Sequence, residues 1–212
     1  MQNKTYSVTR LPAGTCLDAV EWSTLPVAHV DTYRWVEGYA PTVTAQLAYI
    51  EGECFVLRMT CAEDHPTATY TDYNQPVYKD SCLEFFADWT GDGRYVNMEM
   101  NAKGTLLSNV GAGRGNRTPI RDLAGDIFPV RAAKDADGWR VTATIPLSML
   151  ADIYGVTYAD LTARLVSGYT FRGNFYKCGD ETPVPHFGMW NPVGTECPDF
   201  HRPAYFGTLI LA

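Results

Sequence analysis

The sequence has little charge and no concentration of basic residues. Of its 212 residues 19% are charged, the formal net charge is −7, and no block of Lys or Arg occurs. The electrostatic term that underlies binding to nucleic acid or to an anionic membrane is therefore missing, and neither partner is expected. A neutral or cationic ligand fits better. Long apolar runs are absent too, and Met1-Gln2-Asn3-Lys4-Thr5-Tyr6 leads into mixed sequence. Neither a signal peptide nor a transmembrane helix is expected. With Met1 as the native start the address is cytoplasmic, and otherwise the chain is secreted. The six cysteines are scattered at 16, 54, 61, 82, 178 and 197 with no C-x-x-C pair, which excludes a disulfide scaffold. Buried free thiols are expected, with Cys178–Cys197 pairing reserved for an exported chain. No internal repeat, low-complexity tract or linker-like break divides the chain, so one domain over residues 1–212 follows. Oligomeric state is not legible.

What is present is aromatic residue, 13% of the chain within 46% hydrophobic residues, arranged in short alternating runs. Strand patterns recur over residues 43–50, 54–61, 81–88, 95–101, 139–145, 165–176 and 205–211, most of them bounded by Gly, Pro, Asp or Asn. That spacing predicts an all-β fold, an antiparallel β-sandwich of jelly-roll-like form. Side chains two apart share a sheet face. Leu83, Phe85 and Ala87 therefore point one way, and Asp80, Cys82 and Glu84, with Tyr78 ahead of them, point the other. In the next run Val96, Met98 and Met100 are buried while Tyr95, Asn97 and Glu99 face outward. The Gly-rich stretch Trp89-Thr90-Gly91-Asp92-Gly93 joins the two as a hairpin. In a third run Phe171 and Phe175 point inward and Arg172, Asn174 and Tyr176 outward, with Gly173 marking a bulge or a close backbone approach. Helix is confined to one short segment at residues 146–151, with Pro146 in its first turn and Gly155 as its stop.

Asp80, Ser81, Glu84 and Phe86, preceded by Tyr78, form a pattern that resembles the family 9 carbohydrate-binding modules and their standalone relatives. The likeness continues through residues 95–104, through residues 172–180, through Trp190-Asn191-Pro192, and through residues 198–203 with Phe206-Gly207. The resemblance implies a non-catalytic β-sandwich that holds the end of a glycan between two aromatic rings. Tyr78 then stands at one ring position and Phe200 near the other, and Glu84 is the carboxylate that bonds hydroxyls. Asn97 and Glu99 match the outward polar pair of the adjoining strand, where Arg and Asn are usual. Asn174 or Tyr176 falls near a hydrogen-bonding amide, and Arg172 shares their row. A sugar fits such a face physically, because its apolar C–H surface stacks on rings and its hydroxyl edge bonds Glu, Asn and Arg. Trp190, in a loop with Gly188 and Pro192, is a further candidate for the site, whereas Trp139 heads the core row Val141, Ala143 and Ile145.

Weaker constellations remain. Structural calcium, which the resemblance allows, has Asp80, Asp88 and Asp92 as candidates, although no defined loop motif is matched and acidic turn residues serve as well. Zinc at His29, His65, His186 and His201 is disfavoured, since only the last two share a segment. No other cofactor is expected. Glu84 and Glu99 on adjacent strands raise the alternative of a glycoside hydrolase or lyase. Met98 or Met100 with a histidine raises that of a haem-binding redox sandwich, yet both methionines alternate into the expected core.

Overall fold

The computed structural model describes residues 3–212. In chain order the strands are β1 (Thr5–Leu11), β2 (Ala28–Val30), β3 (Thr32–Tyr33), β4 (Val43–Ile50), β5 (Cys54–Cys61), β6 (Cys82–Asp88), β7 (Tyr95–Asn101), β8 (Leu106–Gly111), β9 (Thr118–Pro119), β10 (Val130–Asp135), β11 (Gly138–Pro146), β12 (Thr170–Cys178), β13 (Phe187–Met189) and β14 (Gly207–Leu211). Three short helices, α1 (Ile120–Ala124), α2 (Leu147–Tyr154) and α3 (Tyr158–Arg164), complete the set with several 3-10 turns. The expectation of one helix held only for α2, which runs from Pro146 at its N-cap to Gly155, left-handed at φ 67°. Helix α3 carries a cap that sequence inspection passed over, Thr157 accepting the Asp160 amide at 3.0 Å.

Strands follow one path, β10-β11-β5-β4-β1-β14-β12-β6-β7-β8-β9, with β2 on β4 and β13 and β3 appended beside β12. The expected all-antiparallel sandwich is corrected here, because the sheet is mixed. Residues 5–8 of β1 run parallel to β14, and residues 9–11 run parallel to β4. One strand thus carries the sheet round from one arm to the other. The Tyr6 hydroxyl donates to the Pro26 carbonyl at 2.7 Å and accepts the Leu47 amide at 2.9 Å, pinning β1 at this corner.

Both arms turn their apolar rows into one core, where Leu83, Phe85, Met98 and Phe175 meet Leu47, Phe55, Leu57 and Val141. The Phe85 and Phe175 rings stack 4.8 Å apart. Trp139 and Met100 are buried there as well. The hairpin joining β6 and β7 is closed by Asp88, whose two oxygens accept the amides of Gly91 and Gly93 at 2.8 and 3.1 Å. Both glycines have positive φ, 75° and 88°, which side chains resist. Gly173 is a close approach and not a bulge. Its register to β6 is unbroken, and a Cβ there would lie 2.8 Å from the Phe86 carbonyl.

A buried ionisable cluster sits beside the core. Lys177 is fully buried, donates to the Cys178 carbonyl at 2.9 Å, lies 2.6 Å from His186 Nε2 and reaches Glu63 at 3.5 Å. Glu63 also accepts the Trp139 indole N–H at 3.0 Å and the Ser81 hydroxyl at 2.9 Å. Buried charge is tolerated only when paired in this way.

Phe85→Ala should cost about 3–5 kcal/mol in a denaturant titration, because the ring is stacked, fully enclosed and has little room to relax around a void. A loss under roughly 1 kcal/mol would mean that the ring is not in the core.

Candidate functional site

The second face of β6, β7 and β12 is where sequence and structure part. An open sheet face rimmed by loops was expected, but Glu84, Asn97 and Glu99 are only 2%, 1% and 4% exposed. A second apolar cluster, built from Val77, Phe86, Tyr95, Tyr176, Phe200 and Phe206, covers much of this face. The chain after β13 folds back across the sheet and supplies Phe200. What stays open is a pocket of about 270 Å³.

Its floor comes from β6 and β7, because Glu84 stands directly opposite Glu99 and Phe86 opposite Asn97. Its walls come from the turn carrying Tyr78, from Leu107 and Asn109 on β8, from Arg114 and Arg117 after β8, from Cys178 and Asp180, from Phe187, and from Pro198, Asp199, Phe200 and His201. Of the nine residues expected in the site, five meet here: Tyr78, Glu84, Asn97, Glu99 and Phe200. The other four do not line it. Arg172 points away and donates to the Phe206 and Gly207 carbonyls. Asn174 is buried and exchanges hydrogen bonds with the Asn191 backbone, its Nδ2 donating to the carbonyl and its Oδ1 accepting the amide, each at 2.8 Å. Trp190 packs edge-on against Phe175 in the main core and fills the space over Gly207, where a Cβ would meet its ring at 2.3 Å. Tyr176 lies beneath the pocket, stacked on Phe200 at 4.1 Å and 12°.

The two rings expected as a matched, exposed pair are unequal. Tyr78 is 37% exposed, whereas Phe200 is 7% exposed and held by Tyr176 and Trp35. Of the two, Tyr78 is the ring with substantial exposed surface.

Arg114, Arg117, Asp199 and His201 were missed. Their signal was weak, since loop residues far apart in sequence converge only through folding. Arg117 donates to the Tyr95, Asn109 and Gly113 carbonyls and to Asn97 Oδ1, with its guanidinium 4.2 Å from the Tyr95 ring centre. Asn97 in turn donates to Glu99 Oε1 at 2.9 Å, and Glu99 Oε2 has no partner. His201 Nδ1 meets the Tyr95 hydroxyl at 2.8 Å. Burial, then Arg117 and Arg114, hold this imidazole down to about 3, so it is neutral. Its 3.9 Å approach to Glu99 is not an ion pair.

The floor carboxyls are shifted upward. Burial pushes Glu99 up to about 7, opposed by its Asn97 hydrogen bond and by Arg117. Burial and then the facing Glu99 hold Glu84 well above the usual range, despite the Cys178 thiol donating to its Oε1 at 2.8 Å. Cys178 sits across from Cys82 in the β12–β6 register, while Cys197 is exposed.

The acidic residues weighed for calcium occupy three separate places. Asp80 accepts the Thr69 and Tyr70 amides and the Asn101 side chain. Asp88 closes the hairpin described above, and Asp92 pairs with Arg94. Among the described residues the single group of potential ligands close enough to share an ion is Cys82, Glu84 and Cys178. His186 belongs to the Lys177 cluster, and Met98 and Met100 lie in the main core, away from the pocket.

Fold and site together define a small-molecule-binding β-sheet module, its ligand pocket walled by loops over one covered sheet face. The chain belongs to carbohydrate-binding family 9, whose model matches residues 16–211. It is similar over the full length of both chains, at 26% identity and a TM-score of 0.81, to a protein from Bacteroides uniformis ATCC 8492 to which carbohydrate binding has been attributed. Two structures of a family 9 carbohydrate-binding module from Caldicellulosiruptor kristjanssonii share the fold. The complex with cellotriose has 13% identity and a TM-score of 0.66, covering 98% of this chain and 93% of the other. The complex with glucose has 15% identity and a TM-score of 0.65, covering 99% and 96%. No curated protein sequence matches the chain significantly.

The raised carboxyls make stability pH-dependent. Between the ordinary 4.5 and about 7 the folded state holds a Glu99 proton that the unfolded chain has released, so stability falls as pH rises through that window. His186 and His201, pushed down to about 4 and about 3 mainly by burial, work the opposite way below their ordinary 6.5. Comparing Glu99→Gln with wild type cancels the histidines. In urea titrations the variant should gain on wild type from about pH 4.5 to about pH 7, by on the order of a few kcal/mol, and no further above that. A difference that is flat with pH would show that Glu99 does not titrate there.

Proposed function

We propose that this pocket holds one sugar, as a free ring or as the end of a short oligosaccharide, and does not cleave it. The observation that carries the reading is the joint presence, in a family 9 chain, of a half-exposed ring at Tyr78 and a buried row of hydroxyl-bonding groups at Glu84, Asn97 and Glu99. Tyr78 offers a flat face to the C–H side of a ring, and the floor groups accept and donate to its hydroxyls. A volume of about 270 Å³ is at the small end for ligand pockets, which run from about 300 to 1,000 Å³. That size suits a terminal residue better than the middle of a long chain. The likeness to family 9 modules solved with glucose and cellotriose agrees with this ligand class.

Binding without chemistry is favoured over hydrolysis by the charge state of the floor. A glycosidase keeps one carboxyl protonated and its partner ionised, which requires two environments that push the pair apart. Here burial raises both Glu84 and Glu99. Neither is held ionised by an adjacent Lys or Arg, as a nucleophile would be, although Glu99, at about 7, is partly ionised at neutral pH.

A thermal-shift screen of mono- and oligosaccharides, followed by calorimetry, tests the binding, and product analysis with the best ligand tests turnover. Release of reducing sugar that disappears in Glu84→Gln would contradict the non-catalytic reading. Tyr78→Ala should weaken every accepted sugar by at least about tenfold, or about 1.4 kcal/mol, with little loss of stability. Phe200→Ala should weaken binding and also lower stability, because that ring is packed on Tyr176 before any ligand arrives. Unchanged affinity in both ring variants would remove the stacking role.

A further inference from the structure

The floor of the pocket carries two buried carboxyl groups that no positive group answers. Glu84 and Glu99 face each other across adjacent strands, both nearly inaccessible to solvent. Among the described residues no Lys or Arg lies within 4 Å of either. The two guanidinium groups of the pocket are otherwise engaged. Arg114 pairs with Asp199 at 2.8 Å, an aspartate that Arg202 also holds. Arg117 gives its N–H groups to neutral acceptors, the Asn97 amide oxygen and a set of backbone carbonyls. His201, the nearest basic side chain to Glu99, has its Nδ1 engaged with the Tyr95 hydroxyl. A second observation points the same way. Glu99 Oε2 is buried and has no hydrogen-bond partner, which costs free energy unless a ligand supplies the donor.

We infer that the pocket selects an amino sugar, a hexose ring bearing a free ammonium group, with that group bonded to Glu99 Oε2 and shared with Glu84. The inference rests on the sugar-binding reading of the same pocket and names its ligand class. A neutral hexose brings one O–H donor to each contact and leaves two buried acids opposed. An ammonium brings three donors and a charge, so it bonds the orphaned oxygen and favours the ionised form of the carboxyl it meets, which a neutral hydroxyl does not. Asp180 at the rim adds a further carboxyl on the entry side. The ring itself stacks on Tyr78, which reads the C–H face and is indifferent to the substituent. Selection by charge then follows, because a buried site built around a cation rejects an isostere that lacks it.

Calorimetry on metal-stripped protein at neutral pH tests this with matched pairs: glucosamine against glucose, galactosamine against galactose, and each amine against its N-acetylated form, which has the nitrogen without the charge. At least one amine should bind about tenfold or more tighter than its parent hexose and its N-acetyl form. Added salt should change that advantage little, since buried charge pairs are screened far less than exposed ones. The ratio of amine to parent affinity should fall toward one in Glu99→Gln, a substitution of nearly identical shape. Equal affinity for amines and parent hexoses in wild type overturns the inference, as does a preference that survives in both Glu99→Gln and Glu84→Gln. The wild-type comparison stands whether or not the variants fold. Binding of neutral sugars without preference for amines would leave the carbohydrate reading intact and remove only the ammonium. Failure of every sugar, charged or neutral, would remove both.

Discussion

The register between β6 and β7 is the constraint on which the rest depends. With Phe85 opposite Met98 and Glu84 opposite Glu99, one face of the pair is wholly apolar and the other mixes the acids and Asn97 with Phe86 and Tyr95. A slip of β6 by one residue would turn Glu84 into the main core and Phe85 out of it, and a slip of β7 would turn Glu99 inward. Asp88 sets that register by tying the hairpin loop shut, and the flanking strand β12 preserves it. The apolar side of the same ladder closes the core, so the geometry of the pocket floor and the stability of the fold come from one set of backbone pairings.

Burial of both faces changes what the polar row can do. On an open sheet Glu84 and Glu99 would be hydrated and would tolerate each other. Under the segment carrying Phe200 and His201 they lose that water, and their mutual repulsion is felt in a medium of low polarizability. The pocket is therefore electrostatically demanding as well as shaped. Its guanidinium groups do not discharge the demand, because they are committed to Asp199 and to carbonyl oxygens.

The unequal rings belong to the same account. Phe200 holds the covering segment down on Tyr176 and Trp35, so it is a structural ring with one edge in the pocket. Tyr78, on a short turn tied to the end of β12 by the Asp180 amide at 3.1 Å from the Tyr78 carbonyl, is the accessible one. Exposure and packing are consequently divided between the two rings, although both were legible as aromatic positions in the same pattern.

Much of this was open to sequence reasoning because it is local. Alternation in residues 82–88 and 95–101 assigned faces correctly, the glycines at 91 and 93 located the hairpin, and Pro146 with Gly155 bounded a helix. Five pocket residues followed from those faces and from the family pattern. The N-terminal strand was not legible, since Tyr6 and Val8 form too short an alternation, and its parallel partners are β14 at the far end of the chain and β4 elsewhere. Arg172, Asn174, Tyr176 and Trp190 share the pattern but not the pocket: alternation tells which face a side chain takes, not what later chain covers it. The sequence by itself determined the strand faces, the hairpin and the pairing of two acids, because each depends on neighbours within a few residues. Tertiary structure alone decided that the acids are buried, that Arg114, Arg117 and His201 join them, and that β1 closes the sheet, because those facts depend on which distant segments exclude water from which face.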